Sequence, residues 1–492
     1  MDIDYSLLPL LAIMIPLVAA GAILGLRRNA FLRDTISLAA AVTQFLVVIS
    51  LAPTVLAGTT IEVTLFTILP GIDFAFRADA LAMVFATIAS LLWIAAAVYS
   101  VGYMRSLEEH AQTRFFVCFA ISLSAAVGGA FAANLFTLVI FYEVLSLITY
   151  PLVYHHEDEE SWHGSRRYMV YLMGASKTFL LAALAMTYQF AGTLDFKPGG
   201  LFNDTTLSDG LLIGIYFCYL AGFAKAAIMP FHAWLPAAMV APTPVSALLH
   251  AVAVVKMGVF CVLRVIFDVM GPRLMHSLDL DIATAYLVSF TIVMASVYAL
   301  TRDDLKARLA YSTVSQLSYI VLGAALLSPS GIVGGVAHIP AHALSKITLF
   351  FCAGSIYCAS RRRKISDMAG IGRRLPWTMA AFFVGSLGMI GVPPSGGFIS
   401  KWYLVLGAVE AQSIVFLVVL LVSAVLNAAY FLPVSYTAFF VREKDNQNME
   451  VAADDIREIP LVTVPLVVTA VFSLAMGVYP DYFLALARGV VP

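Results

Sequence analysis

Long apolar segments, separated by short polar loops, follow one another along almost the whole chain. A helix needs about 20 apolar residues to cross a membrane, and by that measure the chain holds about fourteen spanning segments. They lie near residues 5–26, 35–57, 78–103, 114–131, 134–154, 168–190, 210–235, 242–269, 282–300, 311–328, 331–359, 376–406, 412–440 and 460–484. This pattern predicts an all-α polytopic membrane protein.

The stretch between the second and third segments, residues 58–77, has a different pattern. Residues 61–66 and 72–76 alternate in polarity or are β-branched, and Pro70-Gly71 lies between them. Alternation around a Pro-Gly pair is typical of two strands joined by a turn. We therefore expect a short exposed hairpin here.

Composition supports membrane insertion and excludes an ordinary soluble domain. Of 492 residues, 61% are hydrophobic and only 12% are charged, whereas a soluble globular protein averages about 25% charged. The net charge of −1 gives no indication of a nucleic-acid partner.

Basic residues alternate between loops in a way that predicts the orientation of the chain. Loops after even-numbered segments and the tails hold four of the 29 basic residues, and the segments themselves hold six. The other 19 all follow odd-numbered segments. Because Lys and Arg accumulate in cytoplasmic loops, we expect an even number of spans with both termini on the non-cytoplasmic side.

Residues 210–260 carry ionisable side chains inside segments that are otherwise apolar enough for lipid: Lys225, His250 and Lys256. A lysine at mid-bilayer costs roughly 2.5–3.5 kcal/mol even on a lenient scale, and such residues mainly face protein or water and carry function. Four prolines also break the helical hydrogen bonding here: Pro230, Pro236, Pro242 and Pro244. Broken helices at membrane depth usually line a cavity or an ion site, so this stretch predicts the middle of an ion pathway.

Glu143, in the fifth segment, is the natural partner for Lys225. A buried carboxylate next to a lysine allows both groups to stay charged. The pair is either a static link between helices or a gate for proton transfer, and we favour the gate because Lys225 lies just before Pro230. Lys177, in the sixth segment, is predicted to be a further buried cation.

The eleventh segment presents His338, His342 and Lys346 at i, i+4 and i+8, which places all three on one helix face. We interpret this face as a polar relay. His250 is either a histidine satisfied within the core or a proton relay, since a histidine pKa near 6.5 suits proton transfer.

The twelfth segment is broken again, at residues 391–398, and Lys401 follows the break. The two broken segments predict two similar halves with an inverted relationship.

Three features that could hold a metal or a cofactor are better explained without one. The five cysteines lie in or at the ends of apolar segments and form no CxxC pair, so we expect small core residues. His338 and His342 lack a nearby third ligand. The run from His155 to Glu160 is interpreted as a solvated loop, because adjacent carboxylates repel. Residues 441–458 form another polar loop.

Fe–S, haem and nucleotide-binding patterns are missing from the sequence, which argues against a quinone-reducing enzyme.

These residues resemble the antiporter-like subunits shared by respiratory complex I, Mrp-type Na+/H+ antiporters and membrane-bound hydrogenases. The resemblance covers roughly residues 75 to 410 and is most specific between Lys225 and His250. The matching stretches are Phe141-Tyr142-Glu143, Lys225 with Pro230-Phe-His232-Ala-Trp234-Leu-Pro236, Ala241-Pro242-Thr243-Pro244-Val-Ser246-Ala-Leu-Leu-His250, Asp304-Leu-Lys306, Leu309-Ala-Tyr311-Ser312-Thr-Val-Ser315-Gln316, His342-Ala-Leu with Lys346, and Gly391-Val-Pro393 to Phe398 before Lys401.

The resemblance implies fourteen helices in two inverted five-helix repeats, with helices seven and twelve discontinuous. On that basis residues 1–112 hold three helices and the hairpin, 113–269 the first repeat, 270–440 the second, and 441–492 a cytoplasmic loop with the last helix. It also implies that Glu143 and Lys225 gate proton transfer. A relay through His250, Lys256 and the eleventh helix would then reach Lys401; Lys177 is not part of the family pattern.

The implied function is proton translocation, with Na+/H+ antiport as a variant, by a membrane protein similar to the D-type subunit of Mrp. Its partners would be other membrane subunits of a complex in the cell inner membrane. The alternative is an ion-pumping subunit of a redox-driven complex, of the NADH:quinone oxidoreductase or membrane-bound hydrogenase type. A stand-alone transporter of an organic solute is a third interpretation.

Overall fold

The computed structural model describes residues 3–203, 207–442 and 456–491. Strands β1 (Ile3–Tyr5), β2 (Thr60–Leu69) and β3 (Ile72–Ala78) form one small sheet. The helices are α1 (Leu8–Gly25), α2 (Ala30–Ser50), α3 (Ala52–Leu56), α4 (Ala80–Ser106), α5 (Gln112–Ala130), α6 (Leu135–Val153), α7 (Glu159–Ala175), α8 (Leu181–Ala191), α9 (Asp209–Gly222), α10 (Trp234–Ala237), α11 (Thr243–Ala247), α12 (Val254–Arg264), α13 (Pro272–Ser277), α14 (Leu280–Leu300), α15 (Leu305–Ala325), α16 (Pro329–Ser360), α17 (Pro376–Ile390), α18 (Gly396–Glu410), α19 (Ile414–Phe440), α20 (Pro460–Val478) and α21 (Asp481–Arg488).

The architecture is that of a multi-pass membrane protein. Within the described residues, ten helices are long and apolar enough to cross a membrane. Two shorter apolar helices, α9 and α17, belong to the segments predicted to be broken. Each of the predicted spans overlaps at least one helix. The count of fourteen spans and the pairing into inverted repeats remain predictions.

Two predicted boundaries are wrong because polar side chains begin the helices earlier than the apolar pattern does. Asp158 caps α7, accepting a hydrogen bond from the backbone N–H of Ser161 at 2.7 Å, and Asp304 caps α15, accepting one from Ala307 at 2.8 Å. N-cap residues of this type satisfy the free N–H groups of the first turn. Basic residues that the pattern assigned to loops therefore lie in helices: Arg166, Arg167, Lys306 and Arg308.

The structure contains the hairpin expected at residues 58–77. Strands β2 and β3 are antiparallel, with Ile61 opposite Ala78 and Val63 opposite Phe76. The sequence did not indicate β1, which pairs in parallel with β2 through Ile3 and Thr60. The sheet marks one end of the helix bundle, called the hairpin end below; the opposite end, reached by the C-terminus of α4, is called the loop end.

Two breaks interrupt the helices at the positions predicted for discontinuity. After α9, a 3-10 turn spans Ala224–Ala226, and no α-helix resumes until Trp234. After α17, Gly391 has φ +90, and α18 begins at Gly396. Met229–Pro230 in the first break and Pro393–Pro394 in the second are cis. Both breaks leave backbone carbonyl groups free to accept hydrogen bonds from side chains.

The longest fully buried stretch of the described residues lies between the two breaks in sequence. Residues 241–270, which include α11, α12 and two π-helical segments (Leu248–Val252 and Val265–Met270), are buried throughout. In contrast, α19 and α20 expose large apolar side chains such as Val425 and Val471, as expected for helices that face lipid or neighbouring subunits.

The run from His155 to Glu160 is not the uniformly solvated loop that the sequence predicted. The His155 side chain is fully buried. Burial, together with the neighbouring His110, His156 and Arg114, lowers the pKa of His155 to about 3. Glu159, in the first turn of α7, is 90% exposed, so only part of the run is solvated. Most of the other predicted loop, residues 441–458, lies outside the described residues.

Candidate functional site: a buried row of lysines and histidines

Lys225 is held in the first break by neutral oxygen atoms. Its side chain is completely buried, and the ammonium group donates hydrogen bonds to the backbone oxygen of Tyr142 at 2.5 Å and to Ser146 Oγ at 2.6 Å. The same group lies 3.2 Å from the centroid of the Tyr142 ring, a distance at which a cation is attracted to the ring face. Lys225 is therefore anchored to α6, one residue away from Glu143.

Glu143 is paired with a different lysine from the one that the sequence suggested. Its Oε2 atom lies 3.2 Å from Lys177 Nζ. The sequence predicted Lys177 to be a buried cation, but its side chain is 50% exposed. It lies in a π-helical segment, Ser176–Leu180, between α7 and α8, and the wider π-helical turn aims the side chain differently from a regular α-helix. Lys177 and Lys225 thus contact adjacent residues of α6, Lys177 through Glu143 and Lys225 through Tyr142.

His250 and Lys346 both contact α15. The Nδ1 atom of His250 lies 3.1 Å from Thr313 Oγ1, while its Nε2 atom has no hydrogen-bond partner within the described residues. Lys346 donates hydrogen bonds to Ser312 Oγ and, at 3.2 Å, to the backbone oxygen of Leu309. Because Ser312 and Thr313 are neighbours in sequence, one turn of α15 links the two groups.

Lys256 and the histidines of α16 form a direct contact. Lys256 Nζ lies 2.5 Å from His342 Nδ1, a hydrogen-bond distance. The His342 and His338 rings are stacked with centroids 6.0 Å apart. His338 continues the row, with Nδ1 2.9 Å from Ser400 Oγ and Nε2 3.0 Å from Gln316 Oε1.

Lys401 ends the row at the second break. It follows Ser400 in α18, and its ammonium group donates to the backbone oxygens of Met389 at 2.5 Å and Ile390 at 3.1 Å. These are carbonyls at the C-terminal end of α17, which the break leaves without helical partners. Lys225 and Lys401 therefore have the same chemistry: each is a buried lysine, and each donates to a backbone carbonyl.

Close packing also joins the Lys225 turn to α12. A Cβ atom on Gly258 would lie 2.1 Å from the backbone nitrogen of Ala226 and 2.2 Å from the carbonyl carbon of Lys225. Only glycine allows the two backbones to approach so closely. Gly258 is two residues from Lys256, so the position of the Lys225 turn is directly coupled to the helix that carries the next lysine.

The sequence identified the charged members of the row but not the neutral groups that connect them. The connecting side chains are Ser146, Ser312, Thr313, Gln316, Tyr319 and Ser400. Hydroxyl and amide side chains are common in apolar helices, where they often bond to their own backbone. Their spacing alone therefore gave no signal that these particular ones face the row.

A second charged cluster lies at the hairpin end and was also missed. Arg264 donates hydrogen bonds to Asp268 Oδ2 at 2.9 Å and to Asp79 Oδ1 at 2.8 Å. The Arg264 side chain is only 4% exposed. Asp79 also caps α4 through the backbone N–H of Ala82. The sequence showed an arginine within a predicted span, but its partners come from two different elements.

These features define a class of protein: a multi-pass membrane subunit with broken helices and a buried row of cations and imidazoles. The chain belongs to the NADH:quinone oxidoreductase/Mrp antiporter transmembrane family, whose model matches residues 132–427. Residues 70–116 match a second family, the N-terminus of chain 5 of NADH-ubiquinone oxidoreductase (complex I). The predicted resemblance is confirmed.

Individual relatives come from several kinds of complex. NADH-quinone oxidoreductase subunit N of Desulforudis audaxviator is 32% identical over 436 residues, covering 88% of this chain and 86% of that protein. Hydrogenase-4 component B of Escherichia coli is 31% identical, covering 67% of this chain. The A/B component of a probable K(+)/H(+) antiporter of Rhizobium meliloti is also 31% identical, covering 82% of this chain. The chain spans 50% and 40% of the length of these last two proteins.

Solved structures share the fold over almost the whole chain. A chain of the Mrp complex from Dietzia sp. superimposes with a TM-score of 0.87 at 22% identity, covering 99% of this chain and 96% of the other. A chain of the membrane-bound sulfane sulfur reductase, an archaeal respiratory membrane complex, gives 0.86 at 23% identity, with 99% and 98% covered. The chain is thus an antiporter-like, ion-translocating membrane subunit of the type found in such complexes.

Proposed function

We propose that the chain translocates protons as an Mrp D-like component of a multi-subunit complex in the cell inner membrane, with Na+/H+ antiport as the exchange it supports. The observation that carries this proposal is the row itself. It contains four buried lysines (Lys225, Lys256, Lys346 and Lys401) and three buried histidines (His250, His338 and His342). Lysine and histidine side chains hold exchangeable protons, and their burial in membrane helices is retained mainly where it serves transport.

The contacts of Lys225 support a gating role. Its hydrogen-bond acceptors are neutral, so the nearby charge of Glu143 decides how well a proton is held on the ammonium group. Unit charges 4 Å apart interact by about 4 kcal/mol at an effective dielectric constant near 20. A movement of Glu143 by a few ångströms therefore changes the energy of protonated Lys225 enough to alter its proton occupancy.

Lys177 gives Glu143 a second place to bind. In the described conformation Glu143 is 3.2 Å from Lys177, which draws the carboxylate away from Lys225. We propose that Glu143 alternates between the two lysines. When Glu143 stays with Lys177, Lys225 passes its proton to the rest of the row. From there the proton moves through Lys256, His342 and His338 to Lys401, with His250 and Lys346 as a side branch on α15.

Replacing Lys225 tests the proposal. The whole complex, isolated through a tag on this chain, is reconstituted into liposomes, and proton movement is followed with a pH-sensitive dye. We expect Lys225→Ala to lower the rate at least about tenfold, the loss that corresponds to a barrier change of roughly 1.4 kcal/mol, while the subunits still co-purify. A well-assembled Lys225→Ala complex with a normal rate would refute the proposal. Lys197→Ala, at an exposed lysine outside the row, is the matched control and should transport normally.

The alternative is an ion-pumping subunit of a redox-driven complex, which the relatedness to NADH-quinone oxidoreductase subunit N favours. The same row would then move protons, but the energy would come from partner subunits. Isolation in mild detergent and identification of the co-purifying subunits distinguish the two. Flavin or Fe–S subunits indicate a redox pump, whereas only small hydrophobic subunits indicate an Mrp-type antiporter.

A further inference from the structure

A group of imidazoles and one carboxylate lies at the loop end, away from the row of lysines and histidines. Glu109 and His110 follow α4, and His155 and His156 follow α6. The possible metal-binding atoms of Glu109, His110 and His155 all lie within 4.8 Å of one another. We call these four residues the Glu109 cluster. Its members come from two loops more than forty residues apart in sequence, so the fold alone brings them together.

Within the described residues, the ring nitrogens of His155 have no hydrogen-bond partner. Its side chain is fully buried. A buried polar group without a partner costs free energy. The backbone, in contrast, is well held, because the carbonyl of His155 accepts a hydrogen bond from Arg114 at 3.1 Å. The ring itself packs against His110 and Phe115, with centroids 4.8 and 6.0 Å away, and these contacts leave both ring nitrogens available to a ligand.

The spacing of the donor atoms fits a small metal ion. Glu109 Oε2 lies 3.7 Å from His155 Nε2 and 3.6 Å from His156 Nδ1, which is too long for hydrogen bonds. Zinc binds nitrogen and carboxylate oxygen at about 2.0–2.2 Å, so two ligand atoms of a tetrahedral site are about 3.3–3.5 Å apart. A shift of a few tenths of an ångström gives these two pairs the spacing of zinc ligands. The donor atoms of Glu109, His110 and His155 lie within 4.8 Å of one another, so a bound ion would draw them closer together.

We propose that Glu109, His110, His155 and His156 bind a divalent transition-metal ion of the zinc class. Three imidazoles and one carboxylate form a ligand set that zinc accepts and that magnesium and calcium, which prefer oxygen, do not. The ion can arrive from water, since Glu109 and His156 also line a cavity of about 380 Å³. The nearby positive charge of Arg114 is balanced by its ion pair with Glu157. A bound ion would fasten the loop after α4 to the loop after α6.

Metal titration of the full chain tests this site. The purified protein is stripped with a chelator and titrated with Zn2+ by calorimetry, and with Co2+ by visible absorption, which reports tetrahedral geometry. We expect one Zn2+ per chain. Because losing even an outer-shell partner of a metal site weakens binding about 10–100-fold, Glu109→Gln and His155→Gln should each weaken it at least about tenfold.

Two further variants keep the test decisive. His163 and Glu159 form an exposed pair at 3.7 Å on α7, so His163→Gln removes a histidine near the cluster but not from it, and should leave Zn2+ binding unchanged. His110 is exposed, so His110→Gln reports on the site even if His155→Gln fails to fold. The proposal would be overturned if the original protein bound Zn2+ no more tightly than the folded variants of the Glu109 cluster. It would also be overturned if His163→Gln lost Zn2+ binding to the same extent as those variants.

Discussion

The buried lysines at the two breaks and the buried Arg264 differ in their hydrogen-bond acceptors. Lys225 and Lys401 donate to neutral carbonyl and hydroxyl oxygens, whereas Arg264 is held between the carboxylates of Asp79 and Asp268. An arginine does not lose its proton in a protein, and two carboxylates fix its charge further. A lysine among neutral acceptors exchanges its proton at much lower cost. We therefore propose that Arg264 serves stability and that the lysines serve transport.

Asp268→Asn should destabilise the protein, because it replaces a charged acceptor of Arg264 with a neutral one. Arg264 keeps Asp79, so we expect a loss of about 1.5–3 kcal/mol, the range for a hydrogen bond to a charged group. Thermal unfolding of the detergent-solubilised protein should show this loss of stability as a lower transition temperature. Glu159→Gln, at a carboxylate that is 90% exposed, should cause no measurable change. Equal transition temperatures for Asp268→Asn and the original protein would contradict the structural role of the cluster.

At the scale of secondary-structure elements, the two breaks and the packing around them position the lysines. Lys225 lies in the first break, and Lys401 lies in the half-helix that follows the second. At the second break the interrupted helix α17 supplies Lys401 with carbonyl groups that a continuous helix would use internally. At the first break the Lys225 turn instead reaches a carbonyl group of the neighbouring helix α6. A Cβ atom on Gly397 would lie 1.8 Å from the backbone oxygen of Gly388, so α17 and α18 touch as closely as the Lys225 turn touches α12.

Gly258→Ala should therefore displace the Lys225 turn. The added methyl group would lie 2.1 Å from the backbone nitrogen of Ala226, and overpacking of this kind typically costs about 1–3 kcal/mol. We expect a lower unfolding temperature and slower proton transport in reconstituted liposomes.

Gly214→Ala is the matched control for that substitution. Gly214 lies in α9, and a Cβ atom there would have nothing within 4 Å among the described residues. Alanine favours helix over glycine by about 0.5–1 kcal/mol, so this variant should be as stable as the original or slightly more so, with normal transport. Equal behaviour of the two alanine variants would show that close packing at Gly258 does not position Lys225.

At the scale of the whole molecule, the buried row and the exposed apolar faces are separated. Residues 241–270 are buried throughout, while Ile414 is 75% and Val425 69% exposed on α19. Such faces require lipid or neighbouring membrane subunits. The distribution of basic residues predicts the orientation of the chain in the membrane, with the loop end facing the cytoplasm.

Cysteine labelling checks that orientation. Glu159→Cys places a thiol at the loop end, and Lys197→Cys places one near the hairpin end; the native cysteines are buried or half-buried. In intact cells a membrane-impermeant maleimide should label Lys197→Cys above the background of the original protein. It should label Glu159→Cys only after the membrane is permeabilised. The reverse pattern would show that both termini lie in the cytoplasm.

Local patterns in the sequence were enough to predict the membrane class, the approximate positions of the helices, both breaks, the hairpin and the charged members of the row. This was possible because apolar length, proline and glycine placement, and ionisable side chains within apolar segments are local signals. Polar ends such as those of α7 and α15 were misplaced, since their first turns carry charged residues and lie outside the apolar pattern. Strand β1 was missed because three residues are too short to show a period.

Which side chains contact one another depends on the packing of the helices. Glu143 pairs with Lys177 rather than directly with Lys225, and Lys256 meets His342, which is 86 residues away. Likewise, Glu109 joins His155 across two loops. Partners this distant in sequence are selected by how helices pack, and a chain read in order carries no signal of which faces come into contact.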